Sequence, residues 1–331
     1  MGPFQPARGP NPSAPPGCRR NSRLRRSMSA RIAAAAAVSV LFWTVATQAA
    51  LPSPTCTALS QKLATMTHPN SRELNVLLMN ASEGGCLELS RRLLEIGASP
   101  RAANQAGDTA LILAARAGEE DMVRLLLDSG AAIHHRNLKG ATALLAALTA
   151  NRKRMASFLL ERGADPSLGD NDGVTPLAAA AFNGDRQSLE RLLERGVEAN
   201  PVDRSGKSPI VYAAARGFAA IVERLLDAGA PVNARYGHDL TALAWAAGHA
   251  NDAPVADGVE TVTLLLDRGA DQNLADDRGR TPLMIAAGGD HPEIVALLLS
   301  RGGDALRRDG EGKTALDLAA SAAVADALAR N

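Results

Sequence analysis

The sequence predicts an all-α solenoid of about eight helix-turn-helix repeats joined by short β-hairpin loops. Two markers predict it, because a hydroxyl residue suited to cap a helix and a glycine suited to end one both recur every 33 residues. Both series contain one interval of 40 residues at the same place, which unrelated residues would not share by chance. The capping residues are Thr109, Thr142, Thr175, Ser208, Thr241, Thr281 and Thr314. The glycines are Gly97, Gly130, Gly163, Gly196, Gly229, Gly269 and Gly302.

One unit can be followed along residues 107–140. Thr109 precedes an apolar run and can cap a first helix, which Gly118 ends. A second helix begins near Glu119, where acidic residues suit the positive end of a helix, and it ends at Gly130. Isolated helices shorter than about 12 residues are marginal in water, so each pair needs neighbouring pairs to be stable.

The first 49 residues differ in composition from the rest. They hold seven of the 36 basic residues and no acidic one, which leaves 29 basic against 35 acidic residues, a net charge of −6, in the remainder. Residues 2–27 are rich in Pro, Arg, Ser and Gly, which predicts disorder. Arginines followed by the apolar run 32–46 and small residues predict a secretory signal, cleaved after Ala49 or Ala50.

The leader has alternative interpretations. Translation can start at Met28, the signal can remain uncleaved as an anchor, the apolar run can be a buried helix, and Arg25-Arg26 can belong to a twin-arginine signal. Whether the signal is cleaved or stays as an anchor, the repeats lie outside the cytoplasm. A bacterial periplasm is favoured over another secretory route. Beyond the leader, Cys56 and Cys86 form an even pair that fits either a disulfide or two free thiols.

The rest of the chain divides according to the repeat register. Val76 replaces the capping hydroxyl in the first unit, as is typical of a terminal repeat. Seven extra residues near 250–256 explain the lengthened interval, and we expect them to form a loop between two helices. The predicted regions are the leader 1–49, a linker with a short helix 50–70, and a repeat domain 71–331 comprising a cap repeat 71–103, full repeats 104–308 and a carboxy-terminal cap 309–331.

The repeat text resembles the ankyrin-repeat family. The matching stretches are TPLAAAAFNG from residue 175, TPLMIAAGGD from 281 and GADQNLADDRGRTPL from 269, at that family's 33-residue period. The chain departs from the family pattern after the T-P-L triplet, where the usual histidine is absent and Ile112, for example, stands instead. The resemblance implies a module that binds a protein partner through its hairpin tips and the exposed ends of its first helices.

No motif outside the repeat pattern indicates catalysis, a cofactor or a metal. GEGKT at 310–314 looks like the end of a phosphate-binding loop, but Arg307 stands where that motif needs its first glycine. The six histidines lack metal-ligand spacing, and His134 fills a slot that other repeats give to asparagine, which predicts a hairpin-stabilising role. The negative repeat region and the absence of a basic stripe argue against nucleic acid.

Aromatic, cationic and polar residues gather on tip and groove positions of consecutive repeats. Aromatic and arginine side chains are the usual anchors of protein interfaces. Simple packing between helices is the alternative for Tyr212 and Trp245, and a neutral length change is the alternative for the insertion. The candidate partner-binding residues are Phe182, Asn183, Arg204, Lys207, Arg216, Tyr236, His238, Trp245, His249, Asn251 and Asp252.

Together these patterns predict a monomeric, non-catalytic, exported module that binds a protein partner, with no membrane segment in the mature form unless the signal stays as an anchor. A structural or stress-protective envelope protein is the second hypothesis. An enzyme with a site near the insertion is the third.

Overall fold

The computed structural model describes residues 56–248 and 254–330, which belong to one compact unit. Within these residues the regular structure is helical, with no strand or sheet, and after a first helix the helices follow one another in pairs. The helices are α1 Cys56–Thr65, α2 Ser71–Glu83, α3 Leu87–Glu95, α4 Ala110–Ala117, α5 Glu120–Asp128, α6 Ala143–Thr149, α7 Lys153–Glu161, α8 Pro176–Phe182, α9 Arg186–Leu193, α10 Pro209–Ala215, α11 Ala219–Asp227, α12 Ala242–Ala247, α13 Val255–Asp267, α14 Pro282–Gly288, α15 Pro292–Ser300, α16 Ala315–Leu318 and α17 Ala322–Ala329. The chain is therefore the all-α repeat solenoid that the sequence predicts.

The predicted helix ends are confirmed with one exception. Six of the seven capping hydroxyls accept a bond from the third backbone N–H of their helix, as Thr175 does from Ala178. Ser208 makes no such bond. All seven glycines adopt positive φ, between 75° and 107°, which L side chains rarely adopt.

The first helix of the first repeat begins earlier than the register of the capping residues predicts. Val76 lies inside α2, which starts at Ser71 because Asn70 and Glu73 form a capping box there. Ahead of it, α1 packs on α2 and buries Leu59 and Leu63.

A disulfide joins α1 to the first repeat. Cys56, the first residue of α1, is bonded to Cys86, the N-cap residue of α3, and their Cα atoms are 5.4 Å apart. The bond fixes the start of α1 to the turn between α2 and α3.

The hairpin loops between pairs are linked to one another through their backbones. In one loop the Asp203 N–H donates to the Lys207 carbonyl over 2.9 Å, and the Arg204 N–H donates to the Asp172 carbonyl of the preceding loop over 2.8 Å. These bonds form tight hairpins without extending into strands. His134 has the predicted structural role, because its Nε2 lies 3.1 Å from the Gly163 carbonyl, at the end of the next repeat's second helix.

The lengthened repeat differs from the prediction of a projecting loop. Helix α13 has 13 residues, whereas α5, α7 and α11 have nine, so the helix gains a turn that begins at Val255. The loop prediction is thus wrong for Val255 and Ala256. The physical reason is that Pro254 lies just before the helix, where its missing N–H breaks no helical bond, and Asp257 suits the first turn, while Gly258 is buried. The rest of the predicted insertion, 250–253, lies outside the described residues.

Candidate partner-binding site

The candidate site lies on the first helices of three consecutive repeats, α8, α10 and α12. Positions four, seven and eight after the capping residue share one side of such a helix, because the helical period is 3.6 residues. We call this side the first-helix face. Position four holds the buried Ala146 and Ala179 in two repeats but the half-buried Tyr212 and Trp245 in the next two.

Six side chains on and beside this face form a continuous series of rings and cations, which we call the aromatic-cation ladder. It consists of Trp245, Lys207, Tyr212, Phe182, Arg216 and Phe218. The Lys207 ammonium lies 5.5 Å from the Trp245 ring and 5.8 Å from the Tyr212 ring. Cations at such distances from aromatic faces are attracted by the ring quadrupole.

The second half of the ladder continues across the neighbouring repeat. The rings of Tyr212 and Phe182 meet edge to face with centroids 5.9 Å apart. The Arg216 guanidinium then lies 4.8 Å from the Phe182 ring and 5.5 Å from the Phe218 ring. Three repeats therefore contribute to one connected surface.

Asp203 positions the centre of the ladder. Its carboxylate accepts a bond from the Tyr212 hydroxyl and bonds from the Ser205 hydroxyl and the Lys207 backbone N–H. Burial, followed by the bond to Asp203, raises the pKa of Tyr212 above its usual range, so this hydroxyl stays protonated. Burial lowers the pKa of Lys207, and the Asp203 charge partly opposes that shift.

Arg216 is held in place without an acidic partner. Its Nε is buried and has no hydrogen-bond acceptor among the described residues, and none of the ion pairs found there includes it. The Phe218 ring lies directly on Gly184, where a Cβ would approach the ring to 2.9 Å. Gly184 also has a φ of +66°, so glycine is required at that turn if Phe218 is to pack there.

Trp245 presents a second donor of the same kind. The residue is half-buried, and its indole N–H has no acceptor in the described part of the chain. Indole N–H groups usually find an acceptor when they are buried.

The structure places the other predicted residues apart from the ladder. The side-chain amide of Asn183 donates to the Leu148 carbonyl over 2.8 Å, so it joins two repeats. Arg204 is exposed at a hairpin tip, and His238, also exposed, lies 3.0 Å from an oxygen of Asp277. His249, Asn251 and Asp252 lie outside the described residues.

Tyr236 requires a correction as a surface anchor. It is 7% exposed, and its hydroxyl donates to the Asn200 side chain over 2.7 Å. The ring fills the slot that Asp203 and Asp276 occupy in neighbouring hairpins, where a carboxylate would accept backbone N–H groups. Its bulk is thus used between repeats and is unavailable to a partner as an aromatic anchor.

Three features of this region were missed in the sequence. The sequence leaves Tyr212 open to simple packing, and neither Phe218 nor Asp203 is among the candidate binding residues. The available signal for Phe218 was that this aromatic residue stands 34 positions after Gly184, which leaves room for a ring in the preceding repeat. The hairpin after Tyr236 is also unusual, because His238 and Asp239 adopt φ of 62° and 57°, and Asp239 stands where other hairpins have glycine.

The described residues show no alternative centre of chemistry. They contain no group of three or more His, Cys, Asp or Glu side chains that could hold a metal ion. The GEGKT segment is a hairpin closed by Asp309 and Lys313, and the Lys313 ammonium pairs with Glu311 over 2.7 Å. Among the helices of residues 56–248 and 254–330, none has the length and apolar character to cross a membrane.

Comparison with protein families agrees with this architecture. The family described as "Ankyrin repeats (3 copies)" matches residues 78–170, 177–255 and 253–330, which is well over half of the chain. No match was found among curated proteins. Ankyrin repeats are generally protein–protein interaction modules, and proteins built from them are typically not enzymes. The chain belongs to the ankyrin-repeat family.

Proposed function

We propose that this protein is a non-catalytic binding module whose protein partner lies along the first-helix face of α8, α10 and α12 and against the adjoining hairpin tips. The aromatic-cation ladder is the observation that carries the proposal. It presents half-buried aromatic rings and cations together, and such side chains dominate the binding energy of protein interfaces.

Packing within the stack does not require these large side chains. Ala146 and Ala179 occupy position four in the two preceding repeats, whereas Leu113 and Ile285 occupy it in the repeats of α4 and α14. A tyrosine or tryptophan at that position adds surface that remains partly exposed to solvent. This supports a role in contact with a partner.

We further propose that the repeats function outside the cytoplasm, in a periplasm or as a secreted protein. The arginine-rich leader with its apolar run supports export. A disulfide between Cys56 and Cys86 suits such a compartment. Mass spectrometry of the native amino terminus tests this, with cleavage after residue 49 or 50 expected. An intact Met1 or Met28 in a soluble cytoplasmic pool would contradict it.

Site-specific photo-crosslinking tests the binding site. A benzoylphenylalanine placed at Arg204, on an exposed tip beside the ladder, should crosslink one protein in stoichiometric yield in cells that produce the full chain. The matched control is the same probe at Glu194, an exposed residue that ends the second helix α9 and is not part of the first-helix face. Equal crosslinking from both positions, or none from Arg204, would refute this site, and many low-yield clients would favour a stress-protective role instead.

A further inference from the structure

We infer that Arg216 binds a carboxylate, and that the partner segment carries a glutamate or aspartate side chain at the point where it crosses the first-helix face. This rests on the proposed function, because it assigns the chemistry of one contact within that surface.

The geometry prepares Arg216 for this contact. Its guanidinium lies between the rings of Phe182 and Phe218, at 4.8 and 5.5 Å, which restricts the long side chain before any partner arrives. Little rotamer entropy then remains to be lost on binding. Phe218 is itself held against Gly184, so the arrangement does not depend on a mobile ring.

The guanidinium of Arg216 lacks an acceptor among the described residues. Arg216 always carries a positive charge, is half-buried, and forms no ion pair or side-chain hydrogen bond with the described residues. Its buried Nε–H has lost contact with water without gaining an acceptor. Asp203, the acid that positions the centre of the ladder, already accepts bonds from Tyr212 and from backbone and hydroxyl donors.

A carboxylate matches what the site offers. The planar fork of arginine donates two parallel bonds to a carboxylate, and bonds between ionised groups are shorter and stronger than neutral ones. Arg204 lies on the neighbouring tip and Lys207 in the ladder, and their positive charges also favour a negatively charged ligand.

The position of Arg216 favours an acidic side chain over a free carboxy terminus. First helices of the ladder lie on both sides of α10, with α8 before it and α12 after it. A partner segment that follows this face continues past Arg216 in both directions, so it presents a side chain there.

Peptide pools provide the test. Three pools of 12-residue peptides with randomised flanks are passed over the immobilised full chain and quantified by mass spectrometry. The first has a central glutamate with both ends blocked, the second a central glutamine with both ends blocked, and the third a central glutamine with a free carboxy terminus. We expect the first pool to be retained about tenfold more than the second.

Variants assign that preference to one residue. Arg216→Gln should abolish the glutamate preference, and Arg216→Lys, which keeps the charge but loses the fork, should reduce it to about threefold. Arg154→Ala, which removes an exposed arginine of the second helix α7, should leave it near tenfold. Circular dichroism during thermal unfolding monitors the fold, and the comparison of pools on the unaltered chain needs no variant.

Each other result overturns the inference. Equal retention of the glutamate and glutamine pools, retention of neither, or a preference that survives Arg216→Gln would each contradict it. Stronger retention of the third pool than the first would assign the site to a carboxy terminus instead. If crosslinking from Arg204 persists while the glutamate preference is absent, the proposed function stands without this contact, and loss of both results refutes both proposals.

Discussion

Removing the disulfide should release α1 from the stack and leave the other helices folded. The change is Cys56→Ser with Cys86→Ala, where alanine is used because Cys86 is 4% exposed and a hydroxyl there would be buried. The bond closes a loop with a sequence separation of 30, for which the chain-entropy model gives about 3.6 kcal/mol.

The loss should stay local because of how the repeats are connected. Each repeat contacts mainly its neighbours, so an end unit can open without opening the remainder. Without the bond, α1 depends on the burial of Leu59 and Leu63, and ten residues of helix are marginal alone. A loss of about 3.6 kcal/mol would raise the equilibrium constant for the opening of α1 by at most a few hundred-fold.

Hydrogen exchange followed by mass spectrometry measures this directly. Peptides from residues 57–65 should lose protection in the variant and in the reduced protein, while peptides from α10 serve as the internal control. Uniform loss of protection in every helix would show that the bond supports the whole stack. Unchanged protection of α1 would show that the bond contributes nothing to its docking, and either result refutes the reasoning.

Three further changes test separate parts of the fold. Thr175→Ala removes the cap bond to Ala178 and should lower the free energy of unfolding in urea by about 1 kcal/mol; no change would mean that water replaces the cap. Asp239→Gly should raise it by about 0.5 to 1 kcal/mol, because φ of 57° is strained for aspartate, and a decrease would show that its side chain is needed. Deleting 250–256 restores the 33-residue spacing and should shorten α13 while keeping the fold, so a loss of cooperative unfolding by circular dichroism would contradict it.

The fold was predictable because its signals are local. A capping hydroxyl acts within three residues and a helix-ending glycine acts at its own φ, so Thr109 and Gly130 report their conformations without knowledge of distant contacts. Recurrence at a fixed spacing then converted local signals into an architecture. His134 was interpreted correctly for the same reason, since its slot repeats.

The errors arose where the register was broken. Val76 marked where a cap should have been, but Asn70 and Glu73 formed a better one and α2 began there. At the insertion, counting located the extra residues without indicating that Val255 continues a helix. The repeat spacing gives the number of added residues but not their conformation.

The contacts within the candidate site were not predictable from the sequence. Phe182, Tyr212 and Lys207 come from different repeats or from different parts of one, and their distances depend on how neighbouring pairs stack. Tyr236 shows the limit most clearly. The sequence places it at a hairpin tip, but in the structure its ring is buried and its hydroxyl donates to Asn200 of the preceding repeat.

The repeat of Trp245 departs from the repeat pattern at several positions. The repeat of α12 and α13 carries the left-handed His238 and Asp239, the buried Tyr236 and the added turn of α13. That added length accompanies a contact between α13 and α10, the helix that carries Tyr212 and leads to Arg216.

A solenoid can hold such a repeat because stability sums over units and their interfaces, so regular neighbours offset a strained member. Non-glycine residues at positive φ cost about 1 kcal/mol or more each and persist where the surroundings over-determine them. His238 and Asp239 lie in the same repeat as Trp245, one end of the ladder, and Asn151 and Asp290 also adopt positive φ in other repeats. We expect the partner's contact to extend from the ladder onto the neighbouring hairpin, where His238 and Asp239 are exposed.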